Sequence, residues 1–168
     1  MLSVICLDPS WAPRIRARAE AYWQQSPSEE RSWVCFMLLR ALGNLRDPGA
    51  ATFARTVLER EPNEASFGLN PPPDHWVFKA MRPFHRAAAA YAAGQVADAS
   101  AAPLLLSLLD DFGSAPGVRQ QAAIALGKAA PQNCLPEMRR LAAQYPEWAT
   151  RRSLWEACEK VQRRSARR

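Results

Sequence analysis

The chain has 168 residues and a formal charge of +6, long enough for one well-packed domain and basic enough to suit a nucleic-acid partner without requiring one. Only Lys79, Lys128 and Lys160 are lysines, so the basic side is almost all arginine, which favours bidentate contacts to carboxylates and phosphates. No apolar run is long enough to span a bilayer, and the apolar opening at residues 1–7 is too short for a signal segment and has no basic residue before it, so a soluble, cytoplasmic protein without membrane insertion is expected.

Residues 1–30 read as an N-terminal capping helix. Trp11, Ile15, Ala19, Tyr22 and Trp23 recur at helical spacing with Arg14, Arg16 and Arg18 between them. Ser26, Pro27, Ser28 and Glu29 then supply the Ser, Pro and Glu of a new helix start. A first repeat spans 31–60. Its first helix is expected to run to Leu42 and to leave through Gly43 in the left-handed conformation. Asp47 and Pro48 restart the chain as cap and first helical residue, and Phe53, Val57 and Leu58 form the next apolar stripe.

Residues 61–83 interrupt the pattern. Three prolines at 71–73 favour extended backbone, Asp74 is placed to cap a short helix over 75–82, and Pro83 breaks or kinks the chain. Trp76, Phe78, Met81 and Phe84 crowd this segment, either to fix it onto its neighbours or as a recognition element protruding from the rest. A second repeat covers 84–110, with Gly94 closing its first helix and Asp98 at the turn. Leu104, Leu105, Leu106, Leu108 and Leu109 then span about 200° of one helix, roughly twice what a single core-facing stripe needs. After a linker, a third repeat covers 117–145, with Pro131 in the place of the turn acid. A C-terminal cap over 146–163 carries Trp148, Leu154, Trp155, Cys158 and Val161 near helical spacing, and residues 164–168 are a basic tail.

The repeats are explicit in the residues. Arg119 to Gly127 lies over Arg86 to Gly94 at a distance of 33, Arg on Arg and Gly on Gly. A copy ending at Gly43 stands 51 residues before Gly94, one period plus an insertion of 18, and Lys160 falls 33 after Gly127 where a further glycine would be. A helical pair cannot bury its apolar face alone, so stacked neighbours share a continuous core and leave a long surface built mainly from the second helix of each pair. A degenerate last copy suits a capping unit.

With that period, Ala-Leu-Gly-x-x-x-Asp-Pro at 41–48 and Val118-Arg119 followed by Ala122-Ala123-x-Ala125-Leu126-Gly127 resemble the HEAT-like repeats of the bilin-lyase type over about 32–161. The resemblance implies an all-α fold, a right-handed α-solenoid of about three to four helical pairs with a Pro-rich insertion. It further implies a stabilising ladder in which a turn Asp meets the Arg of the next repeat. Asp98 to Arg119 is 21 residues, Asp47 to Arg86 is 39, again 21 plus the inserted 18, and Pro131 to Arg152 is 21 with the acid replaced. That would leave Arg152 without its acid.

Reactive chemistry is sparse. His75 and His85 are the only histidines, and Asp74 beside His75 points about 100° away from it on a helix. There is no His-Glu pair of the HEAT-repeat metal hydroxylases, no phosphate loop and no G-x-S-x-G. Cys6, Cys35, Cys134 and Cys158 are far apart, as buried free thiols are, and indicate neither a disulfide framework nor zinc. No catalytic residue, metal or cofactor is therefore expected. A protein-docking adaptor is, with Arg55, Arg60, Arg139 and Arg140 on the concave second-helix face, Leu105 beside them, and Trp76 and Phe78 on the insertion. Local pairing of those arginines with Glu59, Glu61 or Glu137 is the competing account; an arginine-lined phosphate-binding face and, by resemblance, a bilin lyase or chaperone-like subunit are the alternatives. For the tail, disorder or contact with a helix C-terminus competes with ligand binding.

Overall fold

The computed structural model describes residues 8–25, 29–60, 85–111 and 114–167. The insertion 61–83, with Trp76, Phe78 and the expected helix over 75–82, lies outside them. The described residues form eight α-helices and no strand: α1 Ala12–Trp23, α2 Glu29–Leu45, α3 Ala50–Arg60, α4 His85–Gln95, α5 Ala102–Asp110, α6 Pro116–Ala129, α7 Leu135–Gln144 and α8 Trp148–Ser165. Among the described residues no helix is long and apolar enough to cross a membrane.

Three of these helices begin alike. A single 3-10 turn, Pro9–Trp11, Ala99–Ala101 or Gln132–Cys134, leads into α1, α5 or α7, and Pro13, Pro103 or Pro136 then occupies the first helical turn. A proline costs nothing there, because the N–H it lacks has no intrahelical partner. Carboxylates of Asp8 and Asp98 accept from the amides of Ser10 and Ser100 at 2.9 and 3.1 Å, satisfying donors that the helix start exposes.

The helices pack in two layers. Helices α2, α4, α6 and α8 stand side by side in one, and α1, α3, α5 and α7 form the other, each lying along the first-layer helix that follows it. Across the layers the helices therefore pair α1 with α2, α3 with α4, α5 with α6 and α7 with α8, offset by one helix from the units drawn on the sequence. The chain reaches α6 and α8 through extended residues, Asp111 and Ala115 in one case and Tyr145 and Glu147 in the other, which let the next helix fold back onto the last. Leu39, Leu42, Leu105, Leu108, Leu109, Leu126, Met138 and Leu154 are fully buried in the shared core.

The glycines have a different job from the one expected. Gly43, Gly94 and Gly127 lie inside helices, and no described glycine has a positive φ. A Cβ on Gly94 would stand 2.8 Å from Ala125 Cα, one on Gly127 3.0 Å from Ala157 Cα, and one on Gly43 2.8 Å from the Tyr91 ring and 3.1 Å from Ala92 Cα. Neighbouring first-layer helices thus meet backbone to backbone near their C-terminal halves, run parallel and end on one rim. The contacts also set the register: from Ala92 to Ala125 is a step of 33, and from Ala125 to Ala157 a step of 32. Glu159, not Lys160, is the structural successor of Gly127.

The left-handed position falls three residues after the first two glycines, on Arg46 (φ 52°) and Ala97 (φ 54°). Arg46 and Asp47 amides donate to Gly43 and Leu42 carbonyls at 3.1 and 3.2 Å, and Ala97 and Asp98 amides to Gly94 and Ala93 carbonyls at 3.3 and 3.0 Å. This is the Schellman exit, built without glycine. At the third junction Ala130 is extended (φ −61°, ψ 135°), because a following proline, here Pro131, excludes helical backbone at the residue before it. Ala97→Gly is accordingly expected to raise stability by roughly 0.5–1 kcal/mol, by removing the steric cost of a side chain at positive φ. Ala130→Gly relieves nothing and should lower it; urea midpoints of the two variants check both signs.

Candidate docking surface

Four residues were expected to form one ladder, and the structure gives them other partners. Asp47 pairs with Arg16 of α1 at 2.8 Å, and Asp98 with Arg55 of α3 at 3.2 Å. Arg86 meets Asp111 at 3.6 Å and Ser114 Oγ at 3.3 Å, and Arg119 meets Glu147. The parallel stacking explains why Asp98 does not reach Arg119. Gly94 is level with Ala125, and Arg119 lies six residues before Ala125, about 9 Å along the axis and away from the end where Asp98 sits. The acids at the turns after α2 and α4 are met on one rim by arginines of α1 and α3. Arginines at the starts of α4 and α6 are met by the next linker on the other.

The expected arginine face is largely engaged. Arg55 is held by Asp98, Ser100 and Thr52. Arg140 is exposed but donates to Glu137 at 2.5 Å and to Gln144 at 2.9 Å, with Asp110 at 3.5 Å. The hydrogen bonds from Arg140 hold the Glu137 carboxyl below its usual range. Arg139 is exposed beside it; Arg60 ends α3, and its side chain lies outside the described residues. Leu105, placed on the docking surface by the sequence, is fully buried in the core, because α5 lies against α6 on one side and touches α3 and α7 on others. Arg152, expected to lack an acid, pairs with Glu156 at 2.9 Å and stands 5.4 Å from the centre of the Trp148 ring.

What the sequence missed is on α8. Trp148 and Trp155 were grouped with Leu154, Cys158 and Val161, yet they are 63% and 47% exposed while those three are buried. Angular bookkeeping separates them: Trp148 and Leu154 are six residues apart, about 120° around a helix. Thr150, Leu154, Ala157, Cys158 and Val161 face the core, and Trp148, Arg152, Trp155 and Glu159, spaced by four, three and four, run down the opposite face. In the 32-residue register Trp155 and Glu159 occupy the positions of Ala123 and Gly127. On α6 that face is small and receives α8. On α8 it carries two tryptophans and open charge, with Arg151 exposed at its edge.

The buried polar groups belong to the packing. Tyr145 Oη donates to the Leu109 carbonyl at 2.9 Å, and burial pushes its phenol up to about 12. His85 is buried edge-on to Trp23, ring centres 6.0 Å apart. Cys35 and Cys158 are buried and Cys134 half-buried, all as free thiols, and burial raises Cys134 and Cys158 above the ordinary thiol range. No cluster of metal-ligating side chains occurs among the described residues. Neither a scan against models of known protein families nor a search of curated proteins gives a match.

Proposed function

We propose that the protein is a noncatalytic adaptor, a right-handed α-solenoid of HEAT-like helical pairs, that docks a protein partner through the outward face of α8. The observation that carries this is the pair of tryptophans at 148 and 155, exposed on the face by which the equivalent helices hold their neighbours. Tryptophan and arginine are the residues in which interface energy concentrates, and here they alternate along two turns. Arg151 and Arg152 favour a partner with an apolar ridge flanked by carboxylates. Because Trp155 and Glu159 stand where a close helix contact needs alanine and glycine, the partner seats further out than α8 does on α6. Arg55 and Arg140, already paired, give less support to phosphate binding on the second-helix face.

The test is a photo-crosslinker at position 159, one turn beyond Trp155 on the same face, used in native lysate with and without Trp148→Ala/Trp155→Ala. One protein captured stoichiometrically, with its yield cut at least tenfold by the double substitution while helix content is unchanged, is the expected result. Equal capture by both forms would remove α8 as the docking face.

A further inference from the structure

A second surface lies on the rim where the first-layer helices end. The end of α8 and the turn that follows it place Lys160, Arg163, Arg164 and Arg167 around an open cavity of about 530 Å³. Arg164 is fixed there by the carbonyls that close α6: Gly127 at 3.2 Å, Lys128 at 2.5 Å, and Ala130. Lys128 continues the row on α6, its ammonium 5.9 Å from the centre of the Tyr91 ring on α4. Arg40 of α2 stands 4.3 Å from the same ring, whose hydroxyl donates to Asn44 at 2.5 Å. Arg46 lies at the end of α2.

These cations have little to neutralise them. Arg163 pairs with Glu159 at 3.3 Å, but among the described residues no carboxylate pairs with Arg40, Arg46, Lys128, Lys160 or Arg167. The C-terminal ends of four parallel helices attract positive charge, each by about half an elementary charge, and that accounts for part of the gathering. It does not account for the density: burial and then the charges of Lys160 and Arg46 hold the Lys128 ammonium below its ordinary range, so the cations repel one another and an anion laid across them would relieve the repulsion.

We infer that this rim binds the phosphodiester backbone of nucleic acid without reading its sequence. The row crosses three helix spacings, about 25–30 Å at ordinary packing distances. A small anion engages only its α8 end, whereas a linear polyanion meets all of it. Arginines at 40, 46, 163 and 167 offer forks suited to phosphate oxygens. The surface meets the tryptophan face used for docking above only at the Arg163–Glu159 pair.

Fluorescence anisotropy with a labelled 30-nucleotide single strand, its duplex and polyglutamate, each between 50 and 200 mM salt, tests it. Nucleic acid is expected to bind with a log–log salt slope of about −3 to −5, as displacement of counterions by four to six cations requires. Lys128→Gln/Lys160→Gln should weaken binding at least tenfold and flatten the slope by about one to two. Arg139→Glu, which lowers the net charge by the same two units from the other layer, should change it less than twofold, and Trp148→Ala/Trp155→Ala should not change it. Equal losses from Arg139→Glu and the lysine pair would mean net charge and no site. Polyglutamate binding as tightly as nucleic acid, or an affinity independent of salt, would overturn the assignment.

Discussion

Gly94→Val is expected to lower stability by on the order of 3 kcal/mol, at the upper end of what overpacking costs. The first added carbon would sit 2.8 Å from Ala125 Cα and 3.0 Å from Ala125 Cβ. Neither atom belongs to a side chain that can swing aside, so α4 and α6 would have to separate. They are the two central helices of the first layer, and moving them apart disturbs contacts with α2, α3, α5 and α8 as well. Gly94→Ala should cost less, since alanine recovers about 1 kcal/mol of helix propensity against the same clash. Gly117 is the control: in the first turn of α6 an added Cβ meets nothing within 4 Å, and Gly117→Ala should hold or raise the urea midpoint. A Gly94→Val protein that unfolds at the wild-type midpoint would show that the two helices do not meet at this level.

The second large effect is expected at Leu105. Leu105→Ala should cost about 3 kcal/mol, the lost transfer energy of the side chain plus the cavity it leaves in a core that relaxes only partly. The residue is fully buried beneath α6, so the loss should appear as a lower urea midpoint with little change in slope. Protein still folded at low temperature should dock its partner as wild type does. A Leu105→Ala variant with an unchanged midpoint and weakened docking would return this residue to the surface on which its sequence context had placed it.

Helix content and period were legible because they rest on chain chemistry that acts locally. Pro48 and Pro116 near helix starts, Asp98 at a turn and the alanine-rich runs around 89–93 and 122–126 each state a preference that does not depend on what packs nearby. The role of the glycines was half legible: their spacing marked equivalent positions, but a helix-ending glycine and a close-approach glycine look alike in sequence. Only Arg46 and Ala97, in the left-handed conformation, show that the exit was elsewhere. The partners of Arg86 and Arg119 were not legible, because a 21-residue spacing says nothing about which end of a helix faces which linker. Leu105, Trp148 and Trp155 went astray for one reason. Five leucines around α5 and five apolar residues along α8 are each compatible with several rotations, and only the packed neighbours choose among them. Arg164 belongs with these, since its carbonyl acceptors lie 34–37 residues earlier in the chain.

Every extensive contact in the described structure joins helices that are adjacent, or next but one, along the chain. Helix α8 rests on α6 and α7, and α1 on α2 and α3. Apart from the step across the insertion 61–83, assembly therefore closes short loops, which keeps the entropic barrier to folding low for a protein of this length. The same connectivity makes disassembly directional: an outer helix can detach by losing one set of neighbours, while α4 and α6 must lose two. Backbone opening should thus become rarer from the ends towards the middle, and the two exposed tryptophans of α8, Trp148 and Trp155, ride on an element whose release leaves the centre of the stack standing.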